Sequence, residues 1–178
     1  MLHEIIMAGF GGQGVLSMGK LLAEAALSED KHVSWLPSYG PEMRGGTANC
    51  NVVLAQEEVS SPIVSRATSV IVMNKPSLDK FEKTVVPGGI LIINSSLIDR
   101  KSDRDDIKVY YVPANTIAGD LGNPKVANVV MLGAFLAVTS AVKIDSLEEV
   151  IAENFKGKKA SLIEINKKAL AAGLASIK

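Results

Sequence analysis

The sequence predicts an α/β protein: a single doubly wound, mainly parallel sheet with flanking helices. Three observations carry that expectation. The chain opens strand, glycine turn, helix, strand, between Leu2 and Leu36, which is how such a sheet starts. Later apolar runs are short, β-branched and bounded by turn residues. Finally, 178 residues that are 47% apolar but only 4% aromatic suit one aliphatic core of Val, Ile, Leu, Ala and Met. We therefore expect residues 1–178 to form one Rossmann-like domain, since no repeat, low-complexity tract or linker divides them.

Leu2 to Ala8 reads as the first strand. Val15 to Glu29 has helical spacing: Val15, Met18, Leu22 and Ala25 share one side, with Leu21 and Ala26 beside them, and Lys20 and Glu24 point away. Lys31 to Leu36, Ala48 to Ala55 and Ser69 to Met73 read as strands. Ser77 opens a short helix over Leu78 to Lys83, Pro87-Gly-Gly89 is a hard turn, and Ile90 to Ile93 is a buried strand. Asp99 to Asp106, dense in both charges, is expected to be a solvated loop before a strand from Ile107 to Val112. Helices over Asn128–Val142, Ser146–Asn154 and Ser161–Ala172 complete the chain. Ser146 with Glu149 fits a capping box.

Val129 to Val138 is apolar nearly all round a helix, so it must be central to the fold or covered by another chain. Gly133, Ala134 and Ala137 allow a close neighbour. In a chain of this size, a sheet alone would leave one face open, which points to a partner subunit or a self-dimer on this helix.

Charge and cysteine content exclude several classes. Lys plus Arg and Asp plus Glu are both 19, so the net charge is zero. Nucleic-acid binding selects a basic face instead. A zero balance also removes one guard against association, which suits a subunit of something larger. Cys50 is the only cysteine. It can form no internal disulfide and hold no iron–sulfur cluster by itself, and a reducing cytoplasm fits it best. With only His3 and His32 and no ligand spacing, no metal is expected. Cys50 also lacks a His nearby in sequence, so it reads as a small buried hydrophobe rather than a nucleophile. The start carries no signal-peptide pattern, and the longest apolar stretch falls short of the ~18 residues of a membrane span.

Two segments carry candidate chemistry. Gly9-Phe-Gly-Gly-Gln-Gly14 satisfies GxGxxG between a strand and a helix. There Gly9, Gly11 and Gly14, with Gly12 and Gln13 between them, let the chain turn tightly and offer free helix N–H groups to an anion. The alternative is that the glycines serve packing alone. A dinucleotide site also needs an acid at the end of the second strand, where this chain has Trp35-Leu-Pro-Ser38, so NAD is not expected.

The second segment, Leu36 to Cys50, packs two prolines and three glycines around Tyr39, Glu42 and Arg44. A guanidinium braced by Gly45 and Gly46 can take a carboxylate or phosphate in a bidentate pair, and the glycines let backbone N–H groups approach the same anion. Pairing of Arg44 with Glu42, merely to shape the loop, is the structural alternative. Glu42 is equally an acceptor for loop N–H groups. Tyr39 suits interface packing or stacking on a ligand.

Together, GFGGQGV at Gly9–Val15 and PSYGPEMRGGTANC at Pro37–Cys50 resemble the gamma subunit of 2-oxoacid:ferredoxin oxidoreductases, and within them the 2-oxoglutarate branch (2-oxoglutarate synthase). Met73-Asn-Lys-Pro-Ser77, Pro87-Gly-Gly89, Asn94-Ser-Ser96 and Gly122 to Asn128 agree with it. The resemblance implies a subunit that is not catalytic alone. Its partners would be alpha, beta and, in some assemblies, delta subunits, with ferredoxin as the electron acceptor. Thiamine diphosphate, iron–sulfur clusters and coenzyme A would serve the complex, the first two held mainly by partner chains. This chain has no GDG-x-N-type thiamine diphosphate motif; Gly119-Asp-Leu-Gly-Asn123 is a near miss.

Arg44 and Glu42 are then candidates that complete the active site across a subunit interface. The anion at Arg44 would be a coenzyme A phosphate, the substrate carboxylate or an acid of the alpha subunit. Gly9, Gly11, Gly12, Gln13, Gly14, Tyr39, Arg44, Gly45 and Gly46 are the cofactor-binding candidates. Three other readings remain: a stand-alone nucleotide- or coenzyme A-binding module, a purely structural subunit, and a gamma subunit of the branched-chain, pyruvate or indolepyruvate enzymes.

Overall fold

The strand-forming runs of the sequence assemble into one mixed six-stranded sheet. A computed structural model describes residues 1–39, 47–157 and 160–178. Among them the elements are β1 (His3–Phe10), α1 (Val15–Ser28), β2 (His32–Tyr39), β3 (Thr47–Ala55), β4 (Ala67–Val72), α2 (Lys75–Phe81), β5 (Val85–Asn94), β6 (Lys108–Val112), α3 (Ala114–Asp120), α4 (Ala127–Thr139), α5 (Ile144–Asn154) and α6 (Leu162–Ala175), with short 3-10 turns before β5 and α4. The strand order is β2-β3-β1-β4-β5-β6. β3 pairs antiparallel with both β1 and β2, and the β1–β4, β4–β5 and β5–β6 pairs are parallel. Every strand except β3 therefore runs the same way, as the mainly parallel expectation required.

Alternation along each strand feeds two aliphatic cores. Ile5, Met7, Cys50, Val52, Leu54, Ile71, Met73 and Ile92 face the larger helical layer, where α1, α3, α4, α5 and α6 lie. Ile6, Val53, Val70, Val72, Leu91 and Ile93 face the other side, covered by Leu78 of α2 and by Val64 and Ile98 from loops. On α1 the expected apolar residues are buried, and Lys20 and Glu24 pair at 3.7 Å on the outer side. Gly19 has no side chain because Cys50 Sγ and Trp35 Nε1 would lie 2.5 and 3.1 Å from a Cβ there.

Three expectations need correction. First, α4 is covered by α6 of the same chain. Residues 127–136 are all buried, and α6 lies across them: a Cβ on Gly133 would collide with the Leu170 carbonyl, and one on Gly173 with the Val130 carbonyl. Backbone-to-backbone contact at two glycines closes the face that a sheet could not. The ground for seating a partner subunit or a self-dimer on this helix is therefore gone.

Second, Pro87-Gly-Gly89 lies inside β5. The ladder to β4 shifts register between Ala67 and Ser69, and a bulge of that kind tolerates a proline and a Gly88 at φ 78°. Gly88 N–H donates to the Asp106 carbonyl at 2.8 Å. Third, α5 starts at Ile144 without a side-chain cap of its own, so the Ser146–Glu149 capping box does not form. Glu29 Oε1, at the end of α1, accepts the Lys143 N–H at 2.6 Å instead.

The charged 99–106 segment is the solvated loop expected, with five of its eight residues exposed, and two arginines anchor it. Arg100 donates to Asp79 at 3.0 Å and Glu82 at 2.8 Å, and Arg104 donates to the carbonyls of Glu82 and Val85 at 3.2 Å. Beyond these, α3 forms where no helix was expected, α4 stops at Ser140 in the left-handed region (φ 48°), and β2 continues through Pro37 to Tyr39.

Candidate functional site

The motifs that stand apart in sequence meet at the carboxyl end of β1 and β4. From β1 the chain crosses through α1 toward β2 on one flank; from β4 it crosses through α2 to β5 on the other. Ligand crevices of open α/β sheets form at such a switch point. Gly9 lies one residue before the end of β1, where a Cβ would lie 2.6 Å from Gln13 Oε1 and 2.9 Å from both Met73 Cβ and Val15 Cγ2. Gly12 has φ 92°, and Gly14, the N-cap of α1, has φ 73° with Asn128 Nδ2 2.5 Å from where its Cβ would be. These glycines are thus required by turn conformation and by close approach, and not only by general packing.

Side-chain amides hold the turn. Gln13 Oε1 accepts the Phe10 N–H at 2.6 Å, and Gln13 Nε2 donates to the Met73 carbonyl at 3.4 Å, linking the turn to the end of β4. Asn94, fully buried at the end of β5, donates to the same carbonyl at 3.4 Å and to Asn115 Oδ1 of α3 at 2.7 Å. Asn128 of α4 donates to the Gly14 carbonyl at 3.1 Å. Asn74 caps α2 by accepting the Ser77 N–H at 3.0 Å. Asn74 Nδ2 and Asn94 Oδ1 are buried without a partner among the described residues.

The first N–H groups of α1 have no partner within the helix, and the helix dipole places positive potential there. They border a cleft of about 310 Å³ lined by Phe10, Gly11, Gly12, Val15, Ser17 and Ala48. Donors without a metal-binding cluster fit a phosphate or carboxylate. No group of three or more His, Cys, Asp or Glu residues is poised for a metal among the described residues.

The structure brings Gly9, Gly11, Gly12, Gln13 and Gly14 together. Glu42, Arg44, Gly45 and Gly46 lie outside the described residues. Both ends of the segment that carries them are nonetheless fixed: Thr47 pairs with Phe10, and Tyr39 pairs through its backbone with Ala48. The loop thus leaves and re-enters the sheet beside the glycine turn.

Cys50 takes no part in the cleft. It is buried against α1, with Sγ 3.7 Å from the Val15 carbonyl. Burial pushes its thiol up to about 12, against a smaller opposing effect from a hydrogen bond with Trp35, so it stays protonated and unreactive. Asn49 and Asn51 are half-buried on the opposite face of β3.

Sequence reasoning gave no role to Asn94, Asn115 or Asn128. Asn94 and Asn128 stood within landmark segments, and their signal was a polar residue at the boundary of an apolar run. Asn115 carried no such signal.

Residues 4–176 match the family described as pyruvate ferredoxin/flavodoxin oxidoreductase. Ketoisovalerate oxidoreductase subunit VorA of Methanothermobacter marburgensis is 44% identical over 171 residues, which are 96% of this chain and 35% of VorA. The chain thus spans about a third of that relative. 2-Oxoglutarate synthase subunit KorC of Methanocaldococcus jannaschii is 34% identical over 157 residues, covering 86% of this chain and 84% of KorC. The crystal structure of the keto/oxoacid ferredoxin oxidoreductase gamma subunit from Geobacter sulfurreducens PCA superposes with a TM-score of 0.83 at 28% identity, covering 98% of this chain and 97% of that one. A shared family pattern along nearly the whole length, together with the fold of a gamma subunit, means that this chain belongs to the pyruvate ferredoxin/flavodoxin oxidoreductase family.

Proposed function

We propose that residues 1–178 form one gamma-type domain serving a coenzyme A-dependent 2-oxoacid:ferredoxin oxidoreductase. In this reading alpha and beta chains, with a delta chain in four-subunit assemblies, hold the thiamine diphosphate and iron–sulfur clusters. Those groups supply the decarboxylation chemistry and the single-electron path to ferredoxin. This chain's own residues bind and orient. The Gly9–Gly14 turn presents N–H groups to a phosphate of coenzyme A, and Arg44 with Gly45 and Gly46 closes on the same anion or on the substrate carboxylate. Glu42 orders that loop, and Tyr39 packs at its edge. The cytoplasm is the setting this reading requires.

The observation that carries it is the pairing of Phe10 with Thr47. It sets the end of one family motif and the return of the other side by side at the carboxyl end of β1, the end at which open α/β sheets form ligand crevices.

Motif resemblance favours 2-oxoglutarate as the substrate. A second reading has its own support: identity is higher to the ketoisovalerate subunit, 44% against 34% for KorC, which favours a branched-chain 2-oxo acid. One experiment tests both. The chain is affinity-purified from its native cell, and coenzyme A-dependent viologen reduction is measured with 2-oxoglutarate and with 2-ketoisovalerate. Co-purifying chains with thiamine diphosphate and iron are expected, and the preferred acid decides the branch. Recovery of this chain alone, colourless and inactive, would leave the stand-alone binding module. In an active complex, Arg44→Lys with assembly and every kinetic constant unchanged would remove Arg44 from the site.

A further inference from the structure

We propose that Asn128 and Gln13 are positioning residues that clamp the glycine turn, holding the Phe10 peptide groups and the Gly14 carbonyl in internal bonds so that the N–H groups of Gly11, Gly12, Gly14 and Val15 are left to face the cleft. The inference rests on the reading that this turn binds a phosphate of coenzyme A. A glycine turn does not guarantee that polarity. Gly14 sits at φ 73°, a conformation from which a glycine peptide flips readily because no Cβ opposes it. A flip of the Gly14–Val15 peptide would aim a carbonyl at the anion and withdraw a donor.

The hydrogen bonds oppose that flip on both sides of the turn. The Gly14 carbonyl accepts twice, from the Met18 N–H at 2.9 Å and from Asn128 Nδ2 at 3.1 Å. The second donor comes from 114 residues away in sequence, so the clamp is tertiary and not a property of the helix start. On the other side, Gln13 bonds through its backbone N–H and through both ends of its side chain. Its N–H donates to the Phe10 carbonyl at 3.2 Å, and its Oε1 accepts the Phe10 N–H at 2.6 Å. The Phe10 peptide groups are thereby engaged within the turn.

Gln13 Nε2 is anchored on the Met73 carbonyl, which Asn94 also holds. Asn94 is fully buried, and its own oxygen has no partner among the described residues, a cost that an aliphatic side chain at this strand end would not carry. A polar brace at that position serves geometry better than stability.

The test compares Asn128→Ala, the isosteric Asn128→Asp and Gln13→Ala with the wild type in the assembled complex. Asn128→Asp keeps the shape but loses the donor and adds a repelling charge. We expect KM for coenzyme A to rise about tenfold in Asn128→Ala and Gln13→Ala, the scale of one lost hydrogen bond, and further in Asn128→Asp. KM for the 2-oxo acid and the melting temperature should change little. Amide hydrogen exchange should quicken at Phe10 and at position 13 in Gln13→Ala and at Met18 in the Asn128 variants, and not elsewhere.

Equal rises in both KM values with lowered melting would make these residues merely structural and overturn the proposal. So would unchanged KM values with unchanged exchange. Should the wild-type complex show no affinity for coenzyme A, the ligand reading fails, and local exchange in the same variants still decides whether the clamp exists.

Discussion

Gly133 of α4 and Gly173 of α6 meet so closely that neither position has room for a methyl group, each facing the other helix's backbone carbonyl. A helix that is apolar on every side is thereby closed within the chain. Small residues let two backbones approach, and the dense packing that results is sensitive to added volume.

Gly133→Ala or Gly173→Ala is therefore expected to destabilise the protein, although alanine favours the helix by about 1 kcal/mol. The obstruction is backbone, so the helices must separate, at a net cost of roughly 1–3 kcal/mol. Thermal unfolding of each variant measures this; an unchanged or raised melting temperature would show that the crossing has slack.

Glu29 provides a second long-range tie. Burial alone would raise its carboxyl pKa, but hydrogen bonds from Lys31, the Lys143 N–H and Ser146, with the Lys31 charge, together hold it below the ordinary 4.5. A depressed carboxyl stabilises the folded state above its unfolded pKa, and that contribution fades as pH falls below about 4.5 and through the lower folded value. Glu29→Ala should cost about 0.5–2 kcal/mol, the scale of a lost N-cap. It should also flatten the acid limb of a stability-versus-pH curve measured by urea unfolding.

Cys50 gives the opposite sign at high pH. Its folded value of about 12 exceeds the ordinary 9.0, so its contribution is complete below about pH 9 and is lost as pH rises toward 12. At pH 8 the native thiol should resist an aromatic disulfide reagent and react promptly once urea unfolds the chain. Prompt native labelling would contradict its burial beneath α1.

Arg100 ties the 99–106 segment to α2 and the turn after it. Burial would raise the Glu82 carboxyl pKa; hydrogen bonds from Ser102, Arg100 and the Asp103 N–H, with the Arg100 charge, lower it overall. Removing the guanidinium in Arg100→Ala should speed tryptic cutting at Lys101 and Arg104 about tenfold, the effect of one lost charge-assisted bond. Equal digestion of variant and wild type would mean that Arg104 alone holds the segment.

The legible parts of the fold were those with a local cause. The β1–turn–α1–β2 opening follows from apolar periodicity and glycine spacing within one stretch of chain. The apolar character of α4 was equally plain, and its small residues correctly announced a close neighbour. The identity of that neighbour lay in Gly173, forty residues further on, where one glycine in a helical pattern looks only like a weak point.

The cap of α5 failed for the same reason. Ser146 and Glu149 form a good local pattern, yet a carboxylate from the end of α1 reached the helix start first. In the site, the glycines were readable and the asparagines were not. Asn94, Asn115 and Asn128 acquire meaning only when β5, α3 and α4 converge on the turn. The seven-residue α3 offered neither a polar cap nor an amphipathic stripe.

The reversed direction of β3 also bears on how the protein folds. β2 and β3 are joined by a short connection, so their pairing closes a small loop and can form early. The partner on the far side of β3 is β1, which the chain left before building α1. The hairpin therefore joins the sheet through a long-range pairing with β1. Until it docks, Phe10 lacks Thr47 beside it and the glycine turn has an open flank. Completion of the candidate site's flank thus depends on a long-range pairing, and a chain stalled before that pairing would hold much of its secondary structure while lacking the flank itself.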